Sequence, residues 1–397
     1  MTVRTLFLNH SATMGGAEQG MLDLARHMRD SALAVLLEDG PFRHRLESDG
    51  VQVHVIDAGA MHHVRRDSRL PSSAALASVW RAARAVAEIS RDFDVIHANS
   101  QKALIVGALA TYRTDTPLLW HLHDIIEPPY FSRLNIKADV MLANRRVERV
   151  IAVSRATADA FVRQGGAPDR VQVVYNGTDA APFEASAIES GKFRGELGLT
   201  DVPLIGCFSR IAEWKGQHVL LEAVAGIPGV HVAIVGGPLF NEHAYEQRLH
   251  ERVRALGMED RVHFLGHRPD VAILMRNVDL VVHPSTAPEP FARTLIESIF
   301  AGHAPIASAC GGVPELIDSG RTGYLFPPGD VAALRTLLQH LLETPDEVRR
   351  VAAQARAHAY AHFEMAAYVE SMRAHLTAVA ASRGSAASRP RLMEVAS

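Results

Sequence analysis

Cysteine is nearly absent from this chain. Cys207 and Cys310 are the only two in 397 residues, too few for a disulfide framework, and a reducing compartment is the simplest reading. No stretch approaches the roughly 18 consecutive apolar residues that a membrane helix needs. The apolar part of the N-terminus, Thr5 to Leu8, is too short for a secretory signal and reads as a first strand. The sequons at Asn9 and Asn176 therefore carry no weight. The expected location is cytoplasmic, with peripheral contact at the inner face of the membrane left open. Charge of one sign is also lacking: 41 Lys plus Arg stand against 44 Asp plus Glu, a net charge of -3. A nucleic-acid partner would need a basic face, so none is expected. Missing too is the Gly-x-Gly-x-x-Gly fingerprint, which argues against a dinucleotide-dependent dehydrogenase.

What remains is ordinary globular composition, 48% hydrophobic and 21% charged, long enough for two cores. Short apolar runs alternate with helical stretches such as Met21–Met28 and Ala74–Ile89. The runs Thr5–Leu8, Ala32–Leu37, Val51–Ile56, Val95–Ile96, Leu118–Trp120, Val150–Val153 and Val171–Val174 predict one parallel sheet. After a polar stretch, Leu204–Phe208, Val230–Val235, Val262–Phe264, Leu280–Val282, Pro305–Ala307 and Tyr324–Phe326 predict a second. The reading is α/β, with doubly wound domains over 1–178 and 179–365. A helix over 366–381 is expected to cross back to the first domain, ahead of a flexible tail at 382–397. Ligands of such domain pairs bind at the carboxyl ends of the strands, in the cleft between domains.

The densest chemistry lies between Pro284 and Glu315. Thr294–Ala301 reads as a helix beginning near Phe291, Ala292 and Arg293, where free backbone N–H groups suit a diphosphate. Glu289 stands at the mouth of the preceding turn. Glu297, eight residues on, is expected two turns into the helix, placed to accept bonds from a sugar diol. Upstream, Arg210 and Lys215 follow a strand end, where two cations can hold a diphosphate and neutralise its departing charge. In the first half, Gly15-Gly16-Ala17-Glu18 opens a helix after the first strand and lets backbone approach a ligand closely. Asp92-Phe-Asp94 resembles a metal–nucleotide motif but reads as a turn and cap, and no metal is expected. His121 and His123 as a metal pair is the weaker alternative.

Two Glu at this spacing, preceded by Pro284-Ser285 and followed by Gly311-Gly312-Val-Pro-Glu315, resemble family 4 of the retaining glycosyltransferases. The resemblance covers nearly the whole chain. It implies the GT-B architecture, two facing Rossmann-like domains, with the acceptor in the first and the nucleotide sugar in the second. Glu297 would then bind the ribose, Glu289 would face the transferred sugar, and Arg210 with Lys215 would clamp the diphosphate. Gly16, Arg268, Phe291, Ala292, Arg293 and Thr294 complete the implied donor site. His123, at a strand end, matches the family's functional histidine. The family usually has Gly where this chain has Ala292. Ser154 and Asn176-Gly177-Thr-Asp179 match family positions but read mainly as structural.

The implied reaction is retaining, metal-independent transfer of a hexosyl-type group from a nucleoside diphosphate sugar, UDP- or GDP-linked, to a hydroxyl, with no cofactor. The acceptor would be a glycan, a lipid-linked glycan or a metabolite. Rival readings are a nucleotide-sugar epimerase or glycoside phosphorylase on the same fold, or a non-catalytic nucleotide-sugar-binding protein. Basic residues of the first half, Arg65, Arg66 and Arg69 above all, then Arg43, Arg45, Arg133, Lys137, Arg145, Arg146 and Arg149, are candidates for an anionic acceptor or membrane surface.

Overall fold

The computed structural model describes residues 2–59, 72–185, 192–199, 201–239 and 242–382. The chain divides into two compact units, one of residues up to Gly177 together with the segment from Ala366, the other Thr178–Met365.

The first unit holds a seven-stranded sheet: β1 (Thr5–Asn9), β2 (Ala32–Leu36), β3 (Gln52–Val55), β4 (Val95–Ala98), β5 (Leu118–Leu122), β6 (Val147–Ala152) and β7 (Val171–Val173). Its order is β3-β2-β1-β4-β5-β6-β7, with every described pairing parallel. The second unit has six strands: β8 (Leu204–Phe208), β9 (His231–Val235), β10 (Val262–Phe264), β11 (Leu280–His283), β12 (Ile306–Ser308) and β13 (Tyr324–Phe326). Their order is β10-β9-β8-β11-β12-β13, again parallel. Each predicted apolar run is a strand.

Burial explains the legibility. All five residues of β1, β5 and β8 are buried, because helices cover both faces of a parallel sheet. The edge strand β3 instead alternates between exposed and half-buried residues. Trp120 and Phe161, edge to face at 6.0 Å, sit in the first core. The second sheet has a cluster around Leu220, Val232 and Leu338 and another around Phe208, Leu274 and Val281.

Strand ends hand over to helices through serine caps. Ser100 after β4 accepts from Ala103 N, and Ser154 after β6 accepts from Thr157 N. Such a cap contributes about 1 kcal/mol. Asp94, just ahead of β4, instead accepts from Arg4 N at 2.8 Å and ties together the starts of β4 and β1, and Asp179 accepts from Ala181 N. The last helix, Met365–Ala380, packs on the first unit: His375 Nδ1 lies 2.8 Å from the Arg149 guanidinium, and Arg373 reaches the His27 carbonyl.

In each sheet the strand order reverses at one point, between β1 and β4 and between β8 and β11. In open α/β sheets ligands bind at such a point, at the carboxyl ends of the strands.

Candidate active site

At the switch point of the second unit, β11 ends in His283, and the chain then passes Pro284, Ser285 and Glu289 into the helix Arg293–Phe300. From the neighbouring strand β8 the chain passes Ser209 and Arg210 into a short turn, Glu213–Lys215. Two glycines seat these segments. Gly216 has φ +71°, and a Cβ there would lie 1.9 Å from the Pro284 carbonyl oxygen. Gly311 has φ +61°, and its Cβ would lie 2.2 Å from the Glu289 carbonyl oxygen. The Lys-Gly and Gly-Gly signatures are thus where backbone packs on backbone.

Glu289 is 3% exposed and fully engaged on one oxygen. Its Oε1 accepts from Lys215 Nζ at 2.5 Å, Ser285 Oγ at 2.5 Å and His283 Nε2 at 2.8 Å. Burial alone would raise its pKa, but Lys215 and His283 outweigh that and hold the carboxyl well below its usual range. Glu289 is therefore ionised at neutral pH. Burial depresses His283, so the imidazole is neutral.

Arg210 and Lys215 flank Trp214, with their charged groups 5.3 and 4.3 Å from the ring centroid. Arg210 also lies 3.6 Å from Glu242. Lys215 thus sits against Glu289, in the turn that leads into Arg293–Phe300, while Arg210 shares the Trp214 ring with it. Phe291 and Ala292 are buried beneath that helix start. Ala292 has φ -87°, which any residue adopts, so its methyl imposes no backbone strain. Thr294 Oγ1 faces His283 Nδ1 at 3.3 Å. Glu297 lies one turn into the helix, not two, because Glu289 to Ala292 form a turn around Pro290. Its carboxylate stands 4.0 Å from Arg293 Nε. Arg268 is bound by both oxygens of Asp270, at 2.7 and 2.6 Å.

At the first unit's switch point Gly16 is the first residue of the helix Gly16–Arg26. A Cβ on it would meet nothing within 4 Å, so open space lies beside it. His123 follows β5 and its Nε2 lies 2.9 Å from Asn99 Oδ1. Asn99 donates to Asn9 Oδ1 at 3.3 Å and to the Ala17 carbonyl at 3.1 Å. Asn9 donates in turn to the Ser11 carbonyl and to Glu18. Both carbonyls can only accept, which fixes each amide and requires His123 Nε2 to carry a proton. Burial raises the Glu18 carboxyl above its usual pKa. His121 is buried and neutral, its ring 4.0 Å from that of His123. Among the described residues no group of three or more His, Cys, Asp or Glu side chains is placed to hold a metal.

The basic candidates separate. Arg65, Arg66 and Arg69 lie outside the described residues. Arg43 pairs with Asp39 and Glu47, and Arg45 lies 3.7 Å from Asp49. Arg146 is buried, donating to Thr111 and stacked 4.0 Å from the Tyr112 ring. Arg133, Lys137 and Arg145 are exposed. Residue types alone missed Asn99 and His283, and gave Ser285 only as part of the Pro284-Ser285 pair. Their signal was position, each a polar residue just at or past the carboxyl end of a switch-point strand.

Two parallel doubly wound units with cations at the second switch point place the chain in the GT-B class. Solved structures agree. Over 95% of this chain and 100% of that one, it superposes with TM-score 0.86 and 37% identity on Anabaena Alr3699/HepE in complex with UDP-glucose. Sucrose-phosphate synthase from Thermosynechococcus elongatus, 19% identical with TM-score 0.79 over 95% of this chain and 99% of that one, shares the fold. Residues 14–181 match Glycosyltransferase Family 4 and residues 190–358 match Glycosyl transferases group 1. The chain belongs to this glycosyltransferase family. Among curated relatives, D-inositol 3-phosphate glycosyltransferase of Streptomyces scabiei is 31% identical over 293 residues, 67% of this chain and 64% of that protein. The chain thus spans a little under two thirds of that relative's length. No helix among the described residues is long and apolar enough to cross a membrane.

Proposed function

We propose that this protein transfers a hexosyl-type group from a UDP-sugar to an acceptor hydroxyl, with retention of configuration and without metal or cofactor. The observation that carries the reading is the buried, ionised Glu289 held by Lys215 at the second switch point, beside a helix start. Negative charge develops on the diphosphate as the glycosidic bond breaks. Arg210, Lys215 and the amides around Arg293 are assigned to that charge. Glu297 is assigned to the ribose, Glu289 and His123 to the transferred sugar, and Gly16 to close backbone approach. UDP is preferred over GDP because the 37% identical HepE was solved with UDP and with UDP-glucose.

The first unit is assigned to the acceptor, and the enzyme to the cytoplasm with peripheral membrane contact. For the membrane contact, Leu134, Lys137, Met141 and Arg145 are exposed on the helix Arg133–Arg146 at spacings that share one face. Phosphatidylglycerol vesicles should bind the protein at low salt and release it at high salt. Leu134→Ser with Met141→Ser should weaken that binding, and an unchanged double variant removes this assignment.

Transfer is tested with UDP-glucose, UDP-galactose and UDP-N-acetylglucosamine against phosphorylated polyols, D-inositol 3-phosphate included, and lipid-linked glycans. Anomeric configuration is read by NMR, with and without EDTA. A glycoside of the donor's configuration, formed equally with EDTA, is the expected product. An isomerised nucleotide sugar, or an inverted glycoside, contradicts the reading.

A further inference from the structure

Three donors converge on one oxygen of Glu289, which bears on how the donor sugar is read. An oxygen of a carboxylate offers about two lone-pair directions, so Oε1 is saturated by Lys215, Ser285 and His283. No described residue donates to Oε2. We propose that His283 and Ser285 are positioning residues that lock Oε1 of Glu289 so that Oε2 alone is presented to a hydroxyl of the donor sugar. The inference rests on the reading of Glu289 as the sugar-facing carboxylate.

The hydrogen-bond directions follow from the geometry. His283 faces a carboxylate at Nε2, so that nitrogen carries the proton and Nδ1 is left as an acceptor. Thr294 Oγ1, 3.3 Å from Nδ1, must then donate to it. The chain Thr294 to His283 to Glu289 ties the start of the helix Arg293–Phe300 to the carboxylate. His283 is 4% exposed and neutral, so it adds an N–H without a second positive charge. Lys215 alone balances Glu289. When a diphosphate draws on Lys215, His283 and Ser285 still hold the carboxylate in place. Such fixing is what a sugar contact needs, because a displacement of about 1 Å can cost on the order of a hundredfold in rate.

The test is calorimetric titration of the full chain with UDP and with UDP-glucose, UDP-galactose and UDP-N-acetylglucosamine. Wild type is compared with His283→Leu, His283→Gln and Ser285→Ala, with melting curves beside each. UDP lacks the sugar, so its affinity should stay within about threefold in every variant. The best UDP-sugar should bind at least tenfold more weakly to His283→Leu and about threefold more weakly to Ser285→Ala. His283→Gln keeps an N–H of similar reach and should recover most of the loss. Equal losses for UDP and UDP-sugar, or none in either His283→Leu or Ser285→Ala, overturn the proposal; Ser285→Ala decides alone if His283→Leu does not fold. A wild type that binds UDP but no UDP-sugar overturns it while leaving the nucleotide site standing. A wild type that binds neither removes the donor reading itself.

Discussion

The two switch points are built from different chemistry on the same topology. In the first unit, Asn9, Asn99 and His123 are joined by amide and imidazole hydrogen bonds with no cation among them, ending on a carboxyl, Glu18, whose pKa burial raises. In the second, a lysine and a carboxylate meet at 2.5 Å and that carboxylate is held ionised. Such a network fixes orientation and tautomer. A buried ion pair supplies field where a phosphate would sit, and leaves a costly orphan if either partner is removed. On the proposed reading, the first unit orients hydroxyls and the second manages a departing anion.

The contrast is broken most severely at Lys215. Lys215→Ala strands a buried carboxylate and should cost about 3–5 kcal/mol in urea unfolding. Lys215→Met combined with Glu289→Gln removes both charges and should recover most of that loss. A double variant as unstable as the single one would mean that the pair is not what holds this region.

The acid–base behaviour of the units should diverge as well. Asp139, in the first unit, is buried near Asp124 and its carboxyl is pushed up to about 8. Folded chains keep its proton while unfolded chains lose it above about 4, so this group favours folding at low pH and that advantage disappears as pH rises from 4 to 8. Glu289 has the opposite sign: its contribution is complete above its ordinary value near 4.5 and is lost only in stronger acid. Asp139→Asn should flatten the decline between pH 4 and 8 by a few kcal/mol, and a profile identical to wild type would refute the assignment.

Asn99 sharpens the neutral side. Asn99→Leu leaves buried donors and acceptors unpaired, at about 1–3 kcal/mol. Asn99→Asp keeps the shape but puts a carboxylate against His123, which should raise the pKa of that histidine and shift the pH profile of transfer upward. An unshifted profile would separate His123 from the reaction.

The last comparison sets two glycines against each other. Gly16→Ala fills open space at a helix start and should stabilise by about 0.5–1 kcal/mol while lowering transfer, if backbone there meets the ligand. Gly216→Ala collides with the Pro284 carbonyl and should destabilise outright. Unimpaired transfer in Gly16→Ala would remove that glycine from the donor site.

Much of this architecture was legible in the sequence for a simple reason. A strand covered on both faces must be apolar throughout, so runs such as Leu204–Phe208 and Leu118–Leu122 announce themselves. The Glu289–Glu297 spacing and Arg210–Lys215 stood out because charge is rare beside such runs. The partners of these groups were hidden. His283 is an ordinary polar residue until the turn brings it to Glu289, and Asn99 matters only through partners far away in the chain, Asn9, Ala17 and His123. Sequence also overread the basic clusters: Arg146 looks like its exposed neighbour Arg145, yet it is buried against Thr111 and Tyr112. The depth of Glu297 in its helix was overestimated because it was counted from Glu289, which lies in the turn four residues ahead of the helix start.

The central claim is that the second unit's ion pair organises a site for a nucleoside diphosphate. Calorimetric titration of UDP into wild type, Lys215→Ala and Glu297→Ala tests it directly. The expected result is one UDP site per chain in wild type, with binding reduced at least a hundredfold in Lys215→Ala and tenfold or more in Glu297→Ala. UDP bound equally by all three folded proteins would contradict the account.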